Sequence, residues 1–326
     1  MKKILGIGNA LVDILVVLED DFLISQLKLP RGSRQVIDRS LSTKIIDLMK
    51  NKDCTLVSGG SAANTIYGLS KLGIYAGYIG KVGDDRYGNF FESDCLQNGV
   101  HTLLIKSSDS PSGFCISLVS PDGERTMATF LGASCEMAST DITNDMFEGY
   151  DYFHVEGYVA SDHDFITDVL KRAHQKGLKV SLDLASYNLV EANLDFFKDL
   201  IVKYVDIVFA NEEEAKTFTG LDPESALDEM AKLCEIAIVK VGSKGSFLRR
   251  GSEKVYIKPF PINRCMDTTG AGDLYASGFL YGLARGCSLE QCCNYGSIVS
   301  GNIVQVVGAR LNDDAWDLMK DDLRRV

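Results

Sequence analysis

An aspartate set directly behind a Gly-Ala-Gly turn is the arrangement in this chain best suited to chemistry. In Asp267-Thr268-Thr269-Gly270-Ala271-Gly272-Asp273, small residues let successive N–H groups converge at the start of a helix-like run, 274–285, where the helix dipole favours an anion. A carboxylate beside such a cradle handles a proton or a metal, not the anion itself. Phosphoryl transfer with Asp273 as base is the chemistry implied. The plainer alternative is a glycine turn in which Asp273 only caps the helix that follows.

A second constellation is Ser58-Gly59-Gly60-Ser61-Ala62-Ala63-Asn64. Paired glycines admit a ligand close to the backbone, Ser61 is placed to cap a helix, and Asn64, one turn in, can aim two donors and an acceptor over the glycines. Otherwise the segment is a tight strand-to-helix turn with Asn64 in solvent. Glu156 closes a short apolar strand, and in open α/β sheets ligands sit at strand carboxyl ends, so it is a candidate acceptor contact. Gly6-x-Gly8 imitates a dinucleotide loop, but Leu11 stands where the third glycine belongs. No G-x-x-x-x-G-K-[ST] occurs, which excludes a P-loop.

The 267–273 segment resembles the D-T-x-G-A-G-D signature of the PfkB, or ribokinase-like, carbohydrate and nucleoside kinases. Gly59, Gly60 and Asn64 resemble that family's G-G-x-x-x-N sugar element, and Asn9 to Asp13 its opening G-N-x-x-x-D. The resemblance implies a three-layer α/β/α fold with a mostly parallel sheet and a small β-sheet lid. It implies ATP and Mg²⁺, a sugar or nucleoside acceptor, an anion hole at Gly270, Ala271 and Gly272, and Asp273 as base. Asp13 would hold adjacent sugar hydroxyls, as a carboxylate can in bidentate fashion. Asn211-x-x-Glu214 is similar to the family's N-x-x-E element near magnesium, with Glu214 acting through the metal's waters; it is equally a good capping box. Lys240, Gly242 and Gly245 resemble the nucleotide turn T-x-G-x-x-G, with Lys240 in place of the usual Thr. By resemblance alone, Thr268 and Asn294 join the nucleotide site, and Asp267 with the Gly308-Ala309 loop marks where some relatives hold a monovalent cation such as K⁺. Gly80 to Gly88 is similar to a further family signature, with Asp84 or Asp85 as a helix cap.

Composition is that of an ordinary soluble globular protein: 326 residues, 45% hydrophobic and 24% charged. A net charge of −11 opposes binding to nucleic acid or anionic lipid. Nine cysteines without a C-x-x-C pair fit reduced thiols, and the four histidines lack zinc-ligand spacing. Asp13 interrupts the apolar N-terminal run and Glu19-Asp20-Asp21 follows it, against a signal peptide. No run approaches a membrane span. A cytoplasmic protein is expected.

The elements that must position these groups follow a βαβ rhythm. Strands are expected at 3–7, 75–81, 152–155, 179–183, 207–210 and 236–241, and helices at 61–71, 87–97, 165–175, 212–218 and 226–234. Segments 114–120 and 125–130, joined by Pro121-Asp122-Gly123, read as an antiparallel hairpin. With 14–18 and 33–38 it forms a separate small sheet. The expected organisation is one domain over 1–326 with a lid inserted from about 14–38 and 102–131, monomeric or dimeric through lid edges. Phe22, Phe114 and Phe130 are available to a nucleoside base. Two rival functions are a nicotinamide-dependent oxidoreductase using the Gly6-x-Gly8 loop and a non-catalytic sugar-binding protein.

Overall fold

Runs rich in Val and Ile build fourteen strands in a computed structural model, which describes residues 1–49, 54–122 and 124–325. In chain order these are β1 (Ile4–Ile7), β2 (Leu11–Val17), β3 (Arg34–Val36), β4 (Thr55–Gly59), β5 (Ala76–Gly83), β6 (His101–Ser107), β7 (Gly113–Val119), β8 (Arg125–Phe130), β9 (Tyr152–Glu156), β10 (Lys179–Asp183), β11 (Ile207–Asn211), β12 (Ile236–Lys240), β13 (Ser246–Arg250) and β14 (Glu253–Ile257). Nine of them form one sheet in the order β14-β13-β12-β11-β10-β9-β1-β5-β6, and five form a smaller one, β3-β8-β7-β2-β4.

In the large sheet every pairing from β6 to β12 is parallel, and only the β12-β13-β14 end is antiparallel. Parallel strands covered on both faces must be apolar throughout, and Ile4, Leu5 and Ile7 of the central β1 are fully buried. Two hydrophobic clusters lie on the two sides of this sheet. One carries the Ser61–Lys71, Ala271–Arg285 and Leu289–Ile303 helices; the other carries His163–Gln175 and Leu194–Tyr204. This is the ribokinase-like α/β arrangement, with a second, small sheet.

Local signals explain where the helices begin. Asp85 caps Arg86–Gln97, accepting from the amides of Tyr87 and Gly88, and Ser288 with Gln291 forms a capping box on Leu289–Ile303. Gly270 and Gly286 bracket Ala271–Arg285, both left-handed at φ 75° and 74°, a conformation costly for any residue with a Cβ.

Three expectations change. Residues 102–107 belong to the large sheet: after the Arg86–Gln97 helix the chain returns as β6, parallel to β5, as a βαβ crossover must. They are not part of the small sheet. The helix expected at 226–234 spans Pro223–Met230, because Asp222 caps it and Pro223 occupies its first position, a start signal stronger than the apolar spacing further on. Ser61 does not cap its helix; Gly60, at φ 101°, occupies the cap position. Segments 114–120 and 125–130 do pair as antiparallel β7 and β8, while Gly123 of their turn lies outside the described residues.

Candidate active site

Gly8-Asn9-Ala10 leads from the carboxyl end of β1 straight into β2 and is one of the links between the two sheets. No helix starts at this loop, so the strand–loop–helix geometry a dinucleotide pyrophosphate needs is missing, and the Gly6-x-Gly8 reading is overturned. Glu156, at the neighbouring end of β9, organises the junction. Its Oε1 accepts from Asn9 N and its Oε2 from Ala62 N, both at 2.8 Å. The residue is 1% exposed, and each of its oxygens is engaged by a backbone amide. Burial pushes its carboxyl up to about 7, against the pull of those two amides.

Asp273 is the third residue of the Ala271–Arg285 helix and faces the Ser61–Lys71 helix, not its own N-terminus. Ser61 Oγ donates to Oδ1 at 2.7 Å, and Asn64 Nδ2 donates to Oδ2 at 2.9 Å. Thr65 Oγ1 donates to the Asp273 carbonyl at 3.0 Å. The 58–64 and 267–273 constellations, some two hundred residues apart, therefore meet on one carboxylate. Burial raises it to about 6 despite the Asn64 and Ser61 hydrogen bonds. Asp13, on β2, lies against Gly59, where any Cβ would collide with the carboxylate. It too is pushed up to about 6 by burial, relieved by Arg310 and aggravated by Asp273.

The anion cradle lies at the same helix start. Ala271 N donates to Thr268 O and Leu274 N to Gly270 O, while the amides of Gly272 and Asp273 have no protein acceptor among the described residues. Those two N–H groups, at the positive end of a fifteen-residue helix, suit an anion. Lys240, at the carboxyl end of β12, reaches this point, since a Cβ on Gly272 would stand 3.1 Å from its Nζ. The same ammonium is 2.7 Å from Asp183 Oδ2. Burial works against its charge, but Asp183 and Glu214 outweigh burial and raise its pKa. Glu214 is itself raised by burial and by Asp183.

Asn211 and Glu214 form the reciprocal capping box: Glu214 N donates to Asn211 Oδ1, and Asn211 N and Nδ2 donate to Glu214 at 2.8 and 2.6 Å. Gly242 and Gly245 form the tight link between β12 and β13, with φ 57° and 96°. Asp267 accepts from Arg125 Nη1 at 2.7 Å, from Gly308 N at 2.6 Å and from Thr269 N and Oγ1. These donors overcome burial and hold it below the usual carboxylate range. Thr268 is exposed, and Asn294 is half-buried on the Leu289–Ile303 helix.

Arg125, Asp183 and Arg310 are residues that motif reading passed over. Asp183 was within reach of the strand-end argument that found Glu156. Phe114 and Phe130 pack with each other and with Tyr87 on the small sheet's inner face, opposite Asp13, and Phe22 is 71% exposed. None of the three phenylalanines is built into the cleft.

Parallel strands that deliver Glu156, Asp183, Asn211 and Lys240 to one edge, opposite a glycine-led helix bearing the half-buried Asp273 carboxylate, define a phosphotransferase of ribokinase-like fold. The chain belongs to the pfkB family of carbohydrate kinases, whose pattern matches residues 34–316. It is 31% identical, over 74% of its length and 96% of the relative's, to an uncharacterized sugar kinase of Archaeoglobus fulgidus. Among solved structures, a probable sugar kinase from Rhizobium etli superimposes with a TM-score of 0.87 at 34% identity, covering 99% of both chains. The adenosine kinase from Sinorhizobium meliloti does so at 0.87 and 33%, covering 98% of this chain and 99% of its own. The protein is thus a sugar or nucleoside kinase. No described helix is long and apolar enough to cross a membrane.

Proposed function

We propose that this chain transfers the γ-phosphoryl group of ATP to a primary hydroxyl of a nucleoside or ribose-type sugar, with Asp273 as general base. One observation carries the reading: the Asp273 carboxylate is held by Ser61 and Asn64 on one side and shares a helical turn with the uncommitted Gly272 and Asp273 amides on the other. On this reading Asp13 and Asn64 hold acceptor hydroxyls over Gly59 and Gly60. Asp273 takes the hydroxyl proton as the new O–P bond forms and the bond to the departing ADP oxygen breaks. Gly270, Ala271 and Gly272 offset the charge that develops on the transferring group, and Lys240 adds a fixed cation beside them. Glu156 then positions the acceptor loop from behind. Thr268, Gly242, Gly245, Asn211 and Asn294 line the nucleotide side.

The site fits a triphosphate, because two backbone amides without a protein acceptor converge there beside the Lys240 ammonium, which Asp183 holds in place. Bound Mg²⁺ would neutralise negative charge on the phosphates. Among the described residues no three His, Cys, Asp or Glu side chains cluster to hold a metal, and Glu214 is the residue that would hold the ion, through water. Asp267 is committed to Arg125, and K⁺ is not part of the proposal.

Solved structures of comparable similarity include both a probable sugar kinase and an adenosine kinase. The sheet face around Asp13 favours the nucleoside. Val57 and Cys115 flank Asp13 in register, and Leu15 and Met127 continue the same face together with Ser117 and Thr129, a mixed surface that can take a planar base beside a hydroxyl-bearing ring. An ADP-release assay with Mg-ATP across adenosine, other nucleosides, pentoses and hexoses tests the reading, with a nucleoside or ribose expected to give the highest kcat/KM. Asp273→Asn should lower kcat by about a thousandfold or more while acceptor affinity stays within about tenfold. Retention of most of kcat would sink the role given to Asp273.

A further inference from the structure

Arg310 lies just past the Gly308-Ala309 turn and reaches over the end of β4 to the Ser61–Lys71 helix. Nη1 donates to Asn64 Oδ1 at 2.7 Å and to the Ala309 carbonyl at 2.9 Å. Nη2 donates to the Ser58 carbonyl and, at 3.1 Å, to Ser58 Oγ. The guanidinium is stacked 4.0 Å from the centre of the Tyr67 ring. Tyr67 is fixed in turn, its hydroxyl donating to Leu311 O at 3.3 Å and accepting from Trp316 Nε1 at 3.2 Å.

The chemistry of the three groups in line dictates the state of the middle one. A guanidinium only donates and an ionised carboxylate only accepts, so an amide between them has one satisfactory orientation, oxygen toward Arg310 and nitrogen toward Asp273. Without the guanidinium only the ionised carboxylate enforces that choice, and once Asp273 takes up a proton the amide is free to turn. A half-turn of the Asn64 amide would set its oxygen against the Asp273 carboxylate, repelling its charge and removing the donor that faces the acceptor.

We propose that Arg310 is the positioning residue of the acceptor site, locking the Asn64 amide so that its nitrogen is presented to Asp273 and to the incoming hydroxyl. This rests on the kinase reading only for the identity of that hydroxyl. A second effect runs through charge. Arg310 is the cation that opposes the burial of Asp13, whereas Asp273 across the cleft works the other way. The remaining titratable groups nearby are Asp94, which accepts from Ser58 N at 2.9 Å, and Cys95, a buried thiol raised to about 12 by desolvation. Glu156 stands behind the Ala62 amide. Among these groups Arg310 alone carries positive charge, and a fork with two directed donor pairs is something a lysine cannot reproduce.

The test needs no knowledge of the acceptor. In the ligand-free protein, the side-chain amide resonances of Asn64, assigned by loss in Asn64→Ala, are followed against pH. In the native chain they should move with the ionisation of Asp273 and stop moving in Asp273→Asn. In Arg310→Met they should cease to report that ionisation, with the emission of Trp316, the chain's single tryptophan, confirming the fold. Arg310→Lys covers the case in which the methionine variant does not fold. It should keep the charge beside Asp13 but lose the Asn64 response. With adenosine and Mg-ATP, Arg310→Met should raise the acid limb of kcat/KM by about one pH unit and lower kcat/KM at least about tenfold, leaving KM for ATP within about twofold. An Asn64 amide that still tracks Asp273 in the folded variant overturns the proposal, whether or not adenosine is turned over. If the amide behaves as expected but Asp273→Asn stays fully active, the kinase mechanism fails while the role of Arg310 stands.

Discussion

Lys240 Nζ sits 2.7 Å from Asp183 Oδ2, which ties the carboxyl end of β12 to that of β10 across β11. Both side chains are largely withdrawn from solvent, at 13% and 8% exposure, and the pair lies beside Gly272. An ammonium held in this way is already oriented before an anion arrives, so its field acts without reorganisation.

Replacing it should therefore fall mainly on the chemical step. Lys240→Met is expected to lower kcat by about 10²–10³-fold, with a smaller change in KM for ATP. Asp183→Asn, which keeps the lysine but loosens it, should show a milder loss. Steady-state kinetics of the two variants check this, and an unchanged kcat in Lys240→Met would remove Lys240 from the anion site.

Acid should switch the enzyme off as Asp273 takes up a proton. With its native pKa raised to about 6, kcat should climb as pH passes through that value and level off above it. A kcat that stays flat from pH 5 to 8, with chemistry rate-limiting, would contradict the assignment of the base.

Stability should run the opposite way. Burial raises the Asp13 carboxyl from its ordinary 3.8 to about 6, so the folded state binds the proton more tightly than the unfolded one. The stabilisation from that proton is fully present below the unfolded pKa and is lost as pH rises through the folded one. Asp13→Asn should thus be more stable than the native chain at pH 8 by about 1–2 kcal/mol, with the advantage fading toward pH 4. Its acceptor KM should rise sharply. Thermal melts at the two pH values measure the first effect, and the opposite order of melting temperatures would refute it.

Glu156→Ala leaves the Asn9 and Ala62 amides without an acceptor in a buried junction. Each such group costs about 1–3 kcal/mol, so denaturant unfolding should show a loss of a few kcal/mol together with a raised acceptor KM. A loss of stability with native acceptor KM would limit Glu156 to a structural role.

Much of this site was legible in the sequence because its chemistry is concentrated in short motifs. Gly270 to Asp273 and Gly59 to Asn64 each announce a backbone turn and a helix start, and the fold brings the two together. The central strands were legible for a related reason, since a parallel strand buried on both faces must be apolar from end to end. What escaped depends on distance. Arg310 and Asp183 carry no local pattern; each matters through a partner 246 or 57 residues away, Asn64 and Lys240 respectively. Edge strand β6 escaped for want of contrast, being half-buried along most of its length and so neither alternating nor uniformly apolar. Phe114 and Phe130 could be read as core or as cleft because type alone does not say which face of a sheet a side chain occupies; one step of register, from Asp13 to Val12, separates the cleft from the core.

The Gly8-Asn9-Ala10 bridge has one more consequence. Asp13, which grips the acceptor in our reading, rides on the small sheet, while Asp273 is anchored to the main body. Any pivot at those three residues changes the span between grip and base. On that reading the separation of grip and base varies with the angle between the two sheets, so solvent viscosity should slow turnover without altering either carboxylate.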